Sequence, residues 1–551
     1  MHSWMLRYRI PHRRMLLDDH FKRNVMNKRF KRDYIKIFII SIPLSFIIWA
    51  ILYILTAFLT HDPGISLYSS IALAITIMIV YIYLSIKRAH KIGATIDDSM
   101  EGFKTSGGRL NCGGCGCESE VEEAFRKLKL GLFGQPMLLC PECWSKKYIA
   151  KSKQSFGIIA FTFVGGLIIH YLDPSNDFAA LLINIFFLYV FMLSTVIPHE
   201  LGHAIAGSLL GYRIFRVIIG YGQVLFSRKF LGWEWEVRPF PIGGVAVIAT
   251  HSPRFYRLRQ FLMQLAGPLV NIIFIVLLFW ILPQGRSLSS YSSQGVTPVL
   301  DFFLANAVLL AMNLWPRKIT TAAGVTENDG LALLTIPFCA WKKIEEQLAA
   351  YYFLASQEFC LQKQCVQAIE VCEEGLALYP DIVLLRTQLG IVFLALNEFE
   401  KARTVFSGLL ARKDIKPDQR MILLNNIAYT NLLSGRNNSI EESKQYSEEA
   451  YKNIPWVPAV KGTRGAVLVE TGRVDEGLVL LREAFDAHAE PEGKALNAAH
   501  IALGEKRRGN DEESIHYFNA ARTLDPHCQL LTRVQKELGI EMGNIEERNT
   551  V

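Results

Sequence analysis

Apolar runs of membrane-crossing length, crowded into the first 340 residues, narrow what this chain can become more than any other feature. Two of them, at about 35–60 and 65–86, are parted by His61-Asp62-Pro63-Gly64 and read as a helical hairpin. Four more lie at about 156–172, 178–212, 261–282 and 299–315, and as helices such runs match a hydrocarbon core roughly 30 Å thick. Basic residues flank the runs: ten between Arg7 and Arg32, then Lys87, Arg88 and Lys91, then Arg254, Arg257 and Arg259, then Arg317 and Lys318. The positive-inside rule turns these clusters into one topology of about six spans with both ends in the cytosol. Much of the +8 net charge sits in these flanks, so nucleic acid is not an expected partner. The first 33 residues lack an apolar core, so no cleavable signal peptide is expected.

The domains follow from this partition: a basic cytosolic N-terminus (1–33), the transmembrane hairpin (34–86), a polar cytosolic insert (87–154) and an intramembrane core (155–344). A helical repeat region (345–530) and a polar tail (531–551) complete the chain. The expected fold class is an all-α polytopic membrane protein with a small interfacial β element, followed by a cytosolic α-solenoid. The β element rests on Trp233-Glu234-Trp235-Glu236-Val237-Arg238, whose alternation is that of a strand, and reads as one or two short hairpins.

The fourth run holds His199-Glu200-Leu201-Gly202-His203. Histidines four apart on a helix point the same way and can grip one metal, and Glu200 between them can take a proton from water there. Polar groups are costly in hydrocarbon, so this trio is a functional hypothesis by default. About a dozen helical residues follow His199, roughly 20 Å at 1.5 Å each, which puts the metal below the cytosolic surface. Catalytic zinc takes three protein ligands, and Asn328-Asp329-Gly330, just past the sixth run, offers Asp329 as the third. Helix capping is the bland role for such a residue.

Two Cys-x-x-Cys turns, Cys112/Cys115 and Cys140/Cys143, can close a tetrahedral structural zinc site, with Cys117 an alternative to Cys115. From about 345 the chain repeats every 34 residues or so, in five units of two amphipathic helices (352–380, 385–414, 424–455, 461–489, 498–526). That period resembles tetratricopeptide repeats, whose arrays offer a concave surface to a protein partner.

The motifs between 178 and 335 resemble the site-2 protease family of intramembrane zinc metalloproteases. They are His199-Glu200-Leu201-Gly202-His203, Pro241-Ile242-Gly243-Gly244, Ala266-Gly267-Pro268-Leu269-Val270-Asn271, Asn313-Leu314-Trp315-Pro316 and Asp329-Gly330. The resemblance implies His199, His203 and Asp329 as zinc ligands, Glu200 as general base and acid, and Asn271 as a polar residue facing the site. It also implies that Gly243 and Gly244 lie on a strand that meets substrate. One departure stands out: the family has Leu before its Asp-Gly, close behind Asn-x-x-Pro, whereas this chain has Asn328 after a polar insertion at 317–327, with Glu327 as the nearest other carboxylate.

The implied activity is hydrolysis of a peptide bond in or near a transmembrane segment of a membrane-protein substrate. The repeats would recruit a cytosolic partner or substrate tail. An exposed strand edge at 233–238 is expected to hold the unwound substrate by strand addition. Two other readings are a silent membrane scaffold and a membrane-anchored zincin cutting outside the bilayer, which would need a downstream Glu ligand. The lack of organelle targeting favours a prokaryotic plasma membrane.

Overall fold

A computed structural model describes residues 109–121, 125–129, 136–221, 224–230, 232–281, 295–321, 324–435, 439–488 and 490–539. The basic N-terminus, the 34–86 hairpin and the last twelve residues of the tail lie outside them, as does most of the 284–298 loop.

Four small strands open the described chain in two antiparallel pairs, β1 (Leu110–Asn111) with β2 (Glu118–Ser119) and β3 (Arg126–Lys129) with β4 (Pro136–Leu139). Helix α1 (Pro141–Leu172) begins directly on this ribbon, well before the apolar run at 156. Pro141 at its first position explains the sharp start, because that residue's N–H would have no helical partner in any case. The turn into α2 (Asp177–Leu209) is capped by Asn176, whose side chain accepts from the Phe178 and Ala179 N–H groups at 3.1 and 3.2 Å. Helix α3 (Tyr256–Ile281) crosses α2 where Gly202 has no side chain, since a Cβ there would stand 2.8 Å from the Ala266 carbonyl. Together with α4 (Pro298–Leu314) these helices form the bundle. By length and composition α1, α2 and α3 suffice to cross a membrane; α4 is a shorter apolar helix of 17 residues.

Between α2 and α3 the chain forms one four-stranded sheet, where one or two short hairpins were expected. Its strands are β5 (Arg213–Tyr221), β6 (Phe226–Phe230), β7 (Trp233–Val237) and β8 (Phe240–Ala249), in the order β6-β7-β5-β8. Only the β5–β7 pair is parallel. Strand β5 hid from periodicity because a bulge between Ile214 and Arg216 shifts its alternation: Ile214 is buried, then Val217 and Ile219. Arg216 bridges to Glu234 at 3.0 Å and to buried Glu236 at 2.6 Å, fastening β5 to β7. The expected edge at 233–238 is therefore corrected: β7 is paired on both sides, and the sheet's edges are β6 and β8.

The insertion at 317–327 is a hairpin of β9 (Lys318–Thr321) and β10 (Gly324–Glu327). It returns the chain to its starting point, since the Asn328 N–H donates to the Arg317 carbonyl at 3.1 Å. Helix α5 (Asp329–Thr335) follows.

Five helix pairs come next: α6 (Trp341–Leu361) with α7 (Cys365–Leu378), α8 (Val383–Ala395) with α9 (Phe399–Leu410), and α10 (Pro417–Ser434) with α11 (Ile440–Asn453). The last two are α12 (Pro458–Glu470) with α13 (Val474–Ala487) and α14 (Pro491–Arg508) with α15 (Asp511–Leu524), and α16 (Leu531–Leu538) closes the array. Helix α6 also packs on the core: Ile344 and Leu348 share a buried cluster with Tyr212 and Tyr256, and Arg213 pairs with Glu358 at 2.8 Å.

Within the array His500 is buried, with neither ring nitrogen hydrogen-bonded. Burial pushes its pKa down to about 4; Glu470 opposes the fall, and Arg533 and Arg507 assist it. Below about pH 6.5 the unfolded chain therefore takes up a proton that the folded chain refuses. Stability present above pH 6.5 should be lost as pH falls toward 4, by up to about 3 kcal/mol. His500→Leu should flatten that slope, read as the melting temperature of the purified protein between pH 7 and 4.5.

Candidate metal centre

His199 and His203 share one face of α2 with Glu200 beside them, and the polar partners of the two imidazoles come from α3, α4 and α5. The His203 Nδ1 lies 2.9 Å from the Met263 carbonyl, which can only accept, so Nδ1 carries the proton and Nε2 a lone pair. His199 is set in the same way through a longer chain. The Phe302 carbonyl accepts from Asn306 Nδ2 at 2.9 Å, so Asn306 Oδ1 is left to accept from Asn271 Nδ2 at 3.1 Å. Asn271 Oδ1 is then left to accept from His199 Nδ1 at 2.7 Å. Both asparagines are fully buried, and such a partner fixes the tautomer and orientation of a metal-ligating imidazole.

Both Nε2 lone pairs therefore face Asp329, whose Oδ2 is 2.9 Å from His199 Nε2 and whose Oδ1 is 3.6 Å from His203 Nε2. The three ligand atoms lie within 4.8 Å of one another. Three lone-pair donors converging in a buried site match the demand of a zinc ion with an open fourth position. Gln264 donates to Asp329 Oδ1 at 2.6 Å, and Asn313 Nδ2 lies 3.3 Å from His199 Nε2. Gly267 leaves the space: a Cβ there would collide with His203 Nε2 and come within 2.8 Å of His199 Nε2.

The placement of Asp329 rests on Asn328. The Asn328 amide donates to the Asn313 and Trp315 carbonyls at 2.8 and 2.6 Å, while its Oδ1 accepts from the Arg317 and Leu331 N–H groups at 3.0 and 3.1 Å. It caps α5 and pins that helix to the end of α4, a role that leucine has no atoms to fill. Gly330 permits the approach, because a side chain there would strike the Leu314 carbonyl. Glu327 faces elsewhere, accepting from Thr335 Oγ1 at 3.0 Å with Lys343 3.7 Å away.

Glu200 packs against β8. A Cβ on Gly244 would come within 2.5 Å of Glu200 Cγ. Gly243 and Gly244 thus lie on a sheet edge beside Glu200, whereas Trp235 lies one strand further in than β5. A cavity of about 1600 Å³ adjoins β8, walled by β8, the start of α1 and the array helices α6, α8, α10 and α12.

The structure also brings together Cys112, Cys115, Cys140 and Cys143, with sulfurs within 4.8 Å of one another. Burial pushes Cys115 and Cys143 up to about 12, whereas backbone N–H groups, chiefly that of Cys140, overcome burial at Cys112 and bring it down to about 7. A divalent cation would offset both the burial and the mutual repulsion that keep such thiols protonated.

Sequence reasoning missed Gln264, Asn306 and Met263. The two polar side chains had a signal, being uncharged polar residues inside apolar runs, but nothing local tells which of several such residues turns inward. The Met263 carbonyl had none.

Residues 186–460, about half the chain, match the model of peptidase family M50. The regulator of sigma E protease from Haemophilus influenzae is 27% identical over 147 residues, 24% of this chain and 32% of that protein. A Neisseria meningitidis serogroup A protein whose description contains the words zinc metalloprotease is 31% identical over 101 residues, 16% of this chain and 23% of its own. The chain thus spans less than a third of these relatives' length. A solved tetratricopeptide-repeat protein of Thermus thermophilus aligns with 35% of this chain and all of its own, at 16% identity and a TM-score of 0.29. At that score the helix pairs themselves, rather than the superposition, define the array.

Asn271→Leu should break the relay to His199 and weaken zinc affinity by roughly 10- to 100-fold, the usual cost of losing such a partner. Gly267→Ala should abolish binding at the histidine site with the fold retained. Competitive chelator titration of the purified variants, with circular dichroism as the folding check, reads both.

Proposed function

As a member of peptidase family M50, the site-2 protease family, the chain is a zinc metalloprotease relative, and we propose that it hydrolyses a peptide bond in or near a transmembrane segment of a membrane protein. The observation that carries this reading is the convergence of His199, His203 and Asp329 within a helical bundle, with Glu200 one residue from a ligand and against a free strand edge. His199, His203 and Asp329 hold the zinc, which when bound polarises the scissile carbonyl and lowers the pKa of water. Glu200 takes the proton from the attacking water and returns it to the leaving amine. A substrate helix hides its carbonyls in internal hydrogen bonds, so it must unwind before attack. Strand β8, an edge strand of the sheet beside Glu200, holds the unwound segment as an added strand, with Gly244 leaving room for the Glu200 side chain.

The chain crosses the membrane several times, with the ribbon and repeats in the cytosol. The cavity beside β8 receives the substrate's cytosolic portion or a partner from the array's concave face. A second, structural zinc in the four cysteines belongs to the same reading. The zincin alternative requires a downstream Glu ligand, and Asp329 occupies that position against both histidines.

Co-expression with candidate membrane proteins tests the activity. Glu200→Gln should keep zinc and cut cleavage roughly 100- to 10,000-fold, the usual share of a general base. Zinc-loaded wild type that yields no Glu200-dependent product would favour the silent scaffold instead.

A further inference from the structure

The cysteine ribbon is too slight to hold its own shape. Strands β1 and β2 have two residues each and β3 and β4 four each, in two separate hairpins. Isolated two-stranded hairpins are marginal in water, and domains below about 40 residues usually need a metal or disulfides. Yet the ribbon is fastened on two sides.

On one side lies the repeat array. Leu110, Cys112, Phe125 and Cys140 share a single buried apolar cluster with Leu424 of α10 and Ile454 just past α11. Phe125 meets Trp456 edge to face, with ring centroids 5.6 Å apart. A polar clasp sits at the rim. Asn453, oriented by its own bond to the Glu449 carbonyl at 3.0 Å, accepts from Arg109 at 3.0 Å and from the Glu120 N–H at 3.3 Å. On the other side lies the bundle. Cys140 is the N-cap residue of α1 and Cys143 stands in its first turn, and α1 packs along α2, the helix carrying His199, Glu200 and His203.

The four sulfurs therefore join two parts of the protein. Cys112 and Cys115 belong to the knuckle docked on the array, and Cys140 and Cys143 to the helix beside the catalytic one. We propose that Cys112, Cys115, Cys140 and Cys143 bind a zinc ion that latches the repeat array to α1 through the docked ribbon, and so fixes the wall of the cavity facing β8. This goes beyond the proteolytic reading and holds whether or not the protein cleaves. The latch needs both halves: the metal shapes the ribbon, and the Asn453 and Trp456 contacts hold it to the array.

The test uses the full-length protein in detergent, with zinc per chain measured alongside hydrogen–deuterium exchange over 450–460 and 245–249. Cys143→Ser should lose one zinc equivalent, keep the one at the histidines, and exchange at least tenfold faster over 450–460. The double variant Arg109→Ala/Trp456→Ala should keep both zinc ions and show the same acceleration. Cys117→Ser should behave as wild type, and His203→Ala should lose only the other zinc with the dock intact, which separates this proposal from the proteolytic one. Wild-type zinc content in Cys143→Ser would overturn the proposal, as would loss of that zinc with exchange over 450–460 unchanged. Should Cys143→Ser not fold, the double variant decides: unaltered exchange over 450–460 would overturn the latch.

Discussion

Placing lone pairs inside an apolar helical bundle is the constraint on which this structure turns. Two imidazoles and a carboxylate converge in a largely buried site, and every neighbouring helix contributes something that makes this tolerable. The Met263 carbonyl orients one ring, and the Phe302–Asn306–Asn271 relay orients the other. Glycines at 202, 267 and 330 let the helices approach closely enough for these bonds to form. A polar group in such a place is costly unless it is satisfied, so the relay, the glycines and the ligands form one set.

The hairpin at 317–327 shows how a departure from a family pattern can leave a site intact. Because β9 and β10 pair with each other and Asn328 returns to Arg317, the added residues cancel geometrically. Leucine at 328 would suit a chain running directly from the span into the next helix. Here the chain leaves and comes back, and an amide able to bond four backbone groups pins the return. Asn328 and the hairpin thus serve one end, the return of the chain to the close of α4.

Much of the site was legible. The helical spacing of His199 and His203, the apolar context of Glu200 and the Asp-Gly at 329–330 are local patterns, as are the paired cysteines and the 34-residue period. The sheet was only half legible, because a bulge in β5 broke the alternation that betrays a strand. The edge was misplaced for a different reason: alternation marks a half-buried strand, yet says nothing of what pairs with it, and β7 proved to be interior. The docking of the ribbon was invisible, since Arg109 and Asn453 are 344 positions apart and neither carries a local mark of the other.

By itself, then, the sequence determined where the long apolar helices run, which residues have the spacing of metal ligands and which segments repeat, because each rests on spacing between covalent neighbours. Tertiary structure alone decided which carboxylate meets the histidines, which strand edge stays open beside Glu200, and that ribbon and repeats are joined. Those outcomes depend on side chains far apart in the chain satisfying one another's hydrogen bonds in largely buried places, and no local period encodes such a pairing.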